Sequence, residues 1–258
     1  MSSDEEELEA TRAPLIEHLI ELRRRLMYSV AAFFVVFVVC LAFSQEIYGF
    51  LIRPLAQVLE GEEGRRLIFT GLPEMLFTQL KVAFFAAMMV AFPVIAAQTW
   101  LFVAPGLYKN EKHAFLPFLV ATPILFTTGA ALAYYVVFPI AWNFFLSFET
   151  MAAQSGGLPI EFEGKVNEYL TIVMKLIFAF GFSFLVPVGL TLAGRAGLIT
   201  SQWLRDKRKY AVVVTFAMAA ILTPPDPFTQ IALGLPILLL YEVSIYLVRA
   251  VERKRAAT

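Results

Sequence analysis

Six apolar runs, at about 26–43, 77–102, 115–138, 169–193, 210–222 and 231–248, exceed what a soluble fold with one core could hide. With 59% hydrophobic residues, 25 Phe in 258 positions and only 16% charged residues, the chain reads as a polytopic membrane protein. The expected fold class is all-α, with six transmembrane helices. Formal net charge is zero, so nothing draws the chain as a whole to nucleic acid, and charge carries information only by location. The single cysteine, Cys40, lies inside the first run and excludes both an intrachain disulfide and a cysteine-based metal cluster. The acidic start SSDEEELEA lacks the basic region and the small-residue cleavage motif of a signal peptide, so the first run is expected to remain as a span.

In chain order, positions 1–13 form an acidic lead expected to be flexible, 14–248 a single membrane domain, and 249–258 a basic tail. Leu15, Leu19, Leu22 and Leu26 recur at helical spacing behind Pro14, predicting an amphipathic helix that lies on the membrane before the first span. It carries His18, Glu21 and the triplet Arg23, Arg24 and Arg25, and Glu21 can pair forward with Arg25 one turn on. Taken alone, that is a solvated helix face with a basic membrane anchor. Positions 44–76 read as a partly structured cap with short helices, and Lys81 can snorkel from the second span to water. The stretch FVAPGLYKNEKH, Phe102 to His113, forms a polar hairpin that Pro105 and Gly106 are expected to turn. Pro123 and Pro139 interrupt the third span, positions 151–167 read as a polar loop, and the fourth span contains Lys175 and Pro187. The fifth run has 13 residues and would rise only about 20 Å against roughly 30 Å of hydrocarbon. Together with the turn TPPDPF and a short sixth span it would thin the bilayer locally, unless the pair is a tilted or re-entrant hairpin.

Lys and Arg set the orientation. With six spans, one side collects Arg12, positions 23–25, Lys109, Lys112, Arg195, Arg205, positions 207–209, Arg249 and positions 253–255, fifteen in all; the other has Arg53, Arg65, Arg66 and Lys165. Both termini and the hairpin at Glu111 are therefore expected to be cytoplasmic. No phosphate-cradling loop, nucleophile elbow or zinc-protease motif occurs, and His18 and His113 lack spaced partners for a metal. No catalytic residue, cofactor or metal site is expected, and the chain does not read as an enzyme.

HLIELRRRL at His18 to Leu26, LFTQLKVAF at Leu76 to Phe84, FVAPGLYKNEKH, AYYVVFP at Ala133 to Pro139, FGFSFLVPV at Phe180 to Val188 and LTPPDPFTQ at Leu222 to Gln230 occur in an order that resembles the TatC family. That family supplies the polytopic receptor subunit of the twin-arginine protein translocase. The resemblance runs from about Leu15 to the sixth run. It implies a concave, glove-like six-helix bundle in the cell inner membrane that binds twin-arginine signal peptides and exports folded proteins, driven by the proton gradient. It further implies TatA- and TatB-type single-helix partners, and it is compatible with a homo-oligomer within the complex. By motif position, Glu111 and Glu21 match the acidic residues that bind the arginine pair, and Arg23 falls in the N-terminal docking motif. Phe102, Pro105, Leu107, Tyr108 and Lys109 match the hairpin and shape it. Pro54 matches a proline of the outer cap, while Thr223 and Gln230 match positions that contact partner subunits. Asp226 either caps the outer turn or serves transport.

The chemistry suits the assignment, since a carboxylate accepts the planar guanidinium fork bidentately and Lys is a poorer substitute. Outside that motif, a Glu between Lys109 and Lys112 would read as a solvated loop charge. One departure is Leu185, where many members carry Glu or Gln in the fourth helix; Lys175 then faces either lipid or a groove with Glu168 as partner. An ion-coupled small-solute transporter is the alternative reading and would need such a pair in a closed midplane cavity. A lipid-modifying enzyme comes third, for want of a catalytic cluster.

Overall fold

A computed structural model describes residues 3–60, 66–107, 116–154, 162–223 and 226–256, with side chains for 16–60, 66–102, 117–148, 162–223 and 226–255. The described backbone is helical apart from short connections and one isolated bridge. The helices are α1 (Ser3–Ala42), α2 (Ser44–Val58), α3 (Glu74–Leu107), α4 (Leu116–Leu132), α5 (Phe138–Gln154), α6 (Val166–Ser183), α7 (Val186–Arg195), α8 (Ser201–Asp206), α9 (Arg208–Leu222) and α10 (Pro227–Ala256), with a π-helical turn at Ala133–Val137 joining α4 to α5. Among the described residues, five helical stretches are long and apolar enough to cross a membrane: Ile16–Ala42, Glu74–Phe102, Pro117–Phe148, Val166–Arg195 and Pro227–Arg255. The protein is a multi-pass α-helical membrane protein.

Several boundaries differ from the sequence expectation. The acidic lead, expected to be flexible, is helical from Ser3, in keeping with its Glu, Leu and Ala content. The amphipathic segment is continuous with the first span, because no Gly or later Pro follows Pro14 to break the helix. The third span continues past Phe138 to Gln154. The fourth is broken at Phe184 and Leu185, where Pro187 starts α7. The fifth run is the 15-residue α9, about 22 Å long, whereas the sixth sits in the 30-residue α10 of about 45 Å and is not short.

The chain divides into two compact units, Met1–Ala42 with Ala83–Pro123, and Phe43–Val82 with Ile124–Thr258. In the first, α1 and α3 run antiparallel. His18 stacks on Phe102 at 4.3 Å, Arg25 meets Gln98, and Phe33 and Phe37 meet Phe84 edge-on at 5.0 and 6.5 Å. From the first of these contacts to the last the α1 number rises by 19 and the α3 number falls by 18, the mark of antiparallel packing. Next to it, Trp100 Nε1 donates to Thr122 Oγ1 at 2.9 Å, which ties the C-terminal part of α3 to the N-terminal part of α4.

In the second unit, α2 packs on the π-helical turn, α5 and α6 around Leu51, Leu55, Phe138, Leu170 and Phe180. The close approach of α4 to α6 requires glycine: a Cβ on Gly129 would lie 2.5 Å from the Phe180 carbonyl oxygen. Helix α7 ends in a Schellman motif, with Leu198 N donating to Ala193 O and Gly197 N to Gly194 O, and Gly197 takes the left-handed φ of 76° that the motif demands. Beyond it, α10 packs on α7 and α8 through Leu204, Ile245 and Val248. Away from this end, Ile68 bridges Lys165 in parallel, and Lys81 Nζ donates to Asn167 Oδ1 at 2.8 Å, so the expected snorkelling lysine has a protein partner.

Candidate functional site

In the first unit, the side chains of His18, Glu21 and Arg25 recur at three and four residues and therefore share the face of α1 that meets α3. The leucine stripe points elsewhere, with Leu19 62% and Leu26 58% exposed. Arg25 is the centre of the cluster. Its Nη2 donates to Glu21 Oε1 at 3.2 Å, the forward pairing expected from spacing, and its Nη1 donates to Gln98 Oε1 at 3.2 Å. Its Nε is buried without a partner among the described residues. The Arg25 and Glu21 side chains are only 22% and 28% exposed, so this ion pair is better shielded than most surface pairs. The carboxylate of Glu21 is thus held in place by a guanidinium while its other oxygen, Oε2, shows no bond among the described residues.

Arg23 and Arg24 are exposed on the same helix. Phe102 serves as the platform under His18. Pro105 and Gly106 do not turn the chain as expected. They lie within the last turn of α3, which continues to Leu107, since a proline near a helix end costs one N–H bond and leaves earlier turns intact. Tyr108, Lys109 and Glu111 fall outside the described residues. Sequence reasoning misses Gln98 and the His18–Phe102 stack. The signals are present, as an amide inside the apolar run AAQTW and a histidine three residues before Glu21, but both need the register between α1 and α3.

The remaining candidates lie in the second unit. Pro54 sits inside α2 and cannot donate to Phe50 O. Tyr134 does so instead, its hydroxyl donating to Phe50 O at 2.7 Å while its ring stacks on Phe50 at 4.4 Å and 2°. Tyr169 donates to the next carbonyl, Leu51 O, at 3.1 Å. At the turn between α9 and α10, Asp226 is buried and caps α10 by accepting from Thr229 N at 2.7 Å and from Thr229 Oγ1. Thr223 is buried and donates to Ala219 O at 2.9 Å, and Gln230 reaches across from α10 to Phe216 O at 3.2 Å. Glu168 pairs with Lys165 at 3.7 Å, so the Lys175–Glu168 pair that a transporter reading would use is not formed.

The pattern of the family described as Sec-independent protein translocase protein (TatC) matches residues 17–236. Among relatives so named, that of Magnetococcus marinus is 53% identical over 95% of this chain and 87% of its own length. That of Rickettsia prowazekii is 43% identical over 93% and 94%, and that of Escherichia coli 38% identical over 92% and 88%. A crystal structure of a twin-arginine translocase receptor, TatC, in DDM superposes with a TM-score of 0.77 at 36% identity, covering 89% of this chain and 98% of the other.

Proposed function

The chain belongs to the TatC family, and from that premise we propose that it is the receptor and core subunit of a twin-arginine translocase, binding twin-arginine signal peptides for the export of folded proteins. The observation that carries the reading is Glu21, a largely shielded carboxylate already engaged by a guanidinium against α3. A carboxylate that holds an internal arginine in this way has the chemistry to hold a ligand's. Glu111, in the polar stretch between the second and third apolar runs, supplies the second carboxylate, so that each acid takes one arginine. Arg23, Leu107, Tyr108 and Lys109 shape the docking surface around them.

The receptor works by binding, without a catalytic step. It lies in the inner membrane with both termini cytoplasmic, by the fifteen to four distribution of Lys and Arg. TatA- and TatB-type helices assemble at the α9–α10 turn, where Thr223 and Gln230 fix the hairpin and the exposed Ile221, Phe228 and Ile231 offer the contact surface. The proton gradient drives cargo across.

The test is binding of a twin-arginine peptide and its Lys-Lys version to the purified chain and to Glu21→Gln and Glu111→Gln. A hydrogen-bonded charge pair contributes roughly 1.5–3 kcal/mol, so each variant should lose about 10- to 100-fold in affinity for the Arg-Arg peptide. Equal binding in all combinations would sink the receptor reading.

A further inference from the structure

A cavity of about 710 Å³ lies within the second unit, walled by α6 and α7 on one side and α8, α9 and α10 on the other. Its lining is overwhelmingly apolar, and it opens to the surface of the helices. Along α9 the lining runs from Tyr210 through Val214 and Met218 to Leu222, a rise of about 18 Å. An extended hydrocarbon chain matches a slot of that length and apolar lining.

The end near α8 is chemically distinct. Trp203 and Tyr210 are 49% and 53% exposed there, the amphipathic pair found at membrane–water boundaries. Lys207 stands 5.0 Å over the Tyr210 ring and Lys209 5.2 Å from it. Their neighbour Arg208 is neutralised by Glu242 at 2.6 Å, and Asp206, the one acid in this stretch, accepts from Gln202 at 3.0 Å. Lys207 and Lys209 have no carboxylate partner among the described residues. The opposite end carries Lys175, exposed, whose methylene stem can line the cavity while its ammonium stays hydrated.

We propose that this cavity seats one anionic phospholipid, its phosphate at Lys207, Lys209 and Tyr210 and one acyl chain running along α9 toward Lys175. The occupant follows from charge complementarity: Lys207, which lines the slot, and Lys209 both stand against the Tyr210 ring without a carboxylate partner among the described residues. Basic pockets between helices on the cytoplasmic side bind anionic headgroups by the same physics. The proposal goes beyond peptide recognition, which uses the other unit.

Native mass spectrometry of the purified full chain, titrated with phosphatidylglycerol and with phosphatidylcholine of the same chains, tests it. The first phosphatidylglycerol should bind selectively, and the variant K207Q/K209Q should lose roughly fivefold per lysine, about 25-fold in all. Val214→Trp, at an exposed position of the wall, should block the slot and weaken both lipids, while R253Q/R255Q in the tail should change neither; thermal melts verify that each variant is folded. Equal affinity for the two lipids, or selectivity that survives K207Q/K209Q, would overturn the proposal. Selectivity lost in K207Q/K209Q together with unchanged affinity for both lipids in Val214→Trp would overturn it too, by showing a headgroup contact with no seated chain.

Discussion

Tyr134→Phe isolates a single hydroxyl whose role follows from Pro54. The proline leaves Phe50 O without its helical donor, and Tyr134 Oη replaces that donor at 2.7 Å in a site where Tyr134 is only 8% exposed. Removing the hydroxyl keeps the ring stack at 4.4 Å and leaves the Phe50 carbonyl without its side-chain donor. The cost is about 1–3 kcal/mol, a drop in Tm of roughly 3–8 °C for a chain of this size. Pro54→Ala should reverse this dependence, because an alanine N–H can reach Phe50 O unaided. In that background Tyr134→Phe should cost about 0.5 kcal/mol or less, leaving a coupling of about 1–2 kcal/mol in the double-mutant cycle. Thermal unfolding in one detergent for all four proteins measures it. If the hydroxyl is worth the same with and without the proline, the reasoning is refuted and Tyr134 acts through packing alone.

Two further outcomes are expected. Gly129→Ala places a Cβ 2.5 Å from a backbone oxygen of α6 that cannot rotate away, so it should destabilise by about 1–3 kcal/mol in the same thermal assay, whereas Gly189→Ala, with nothing within 4 Å, should not. Arg25→Gln removes the guanidinium that occupies Glu21 and should tighten twin-arginine peptide binding about two- to fivefold, the value of a partly shielded i,i+4 pair; weaker binding in a titration would instead make Arg25 a positioning group.

Much of this is legible in the residues, and the failures share a cause. Run length and composition identify the helices, and the Glu21–Arg25 pair follows from spacing on one helix. Gln98 and Phe102 cannot be assigned that way, because their partners depend on how α1 and α3 slide past each other, which neither run specifies. The leucine stripe of α1 illustrates a second limit. Periodicity marks a face but not the solvent it meets, and in a membrane protein the apolar face can be the outer one. Pro105 and Gly106 mislead for the opposite reason, since local punctuation argues for a turn where helix continuation wins.

The polar side chains at the α9–α10 turn narrow how partners can engage it. Asp226, Thr223 and Gln230 are all committed to backbone or cap hydrogen bonds inside the hairpin. Displacing the Asp226 cap would cost about 0.5–2 kcal/mol, whereas Ala219 O keeps the Thr223 backbone amide as donor if the Thr223 hydroxyl is taken. Their chemistry instead fixes the turn of a helix, α9, that at about 22 Å falls short of the roughly 30 Å hydrocarbon thickness. Mismatch of this size costs fractions of a kcal/mol per Å, which a neighbouring helix or a seated lipid can relieve. Partner affinity at this turn should therefore follow the apolar surface of Ile221, Phe228 and Ile231, with the hydrogen-bonded residues setting its geometry.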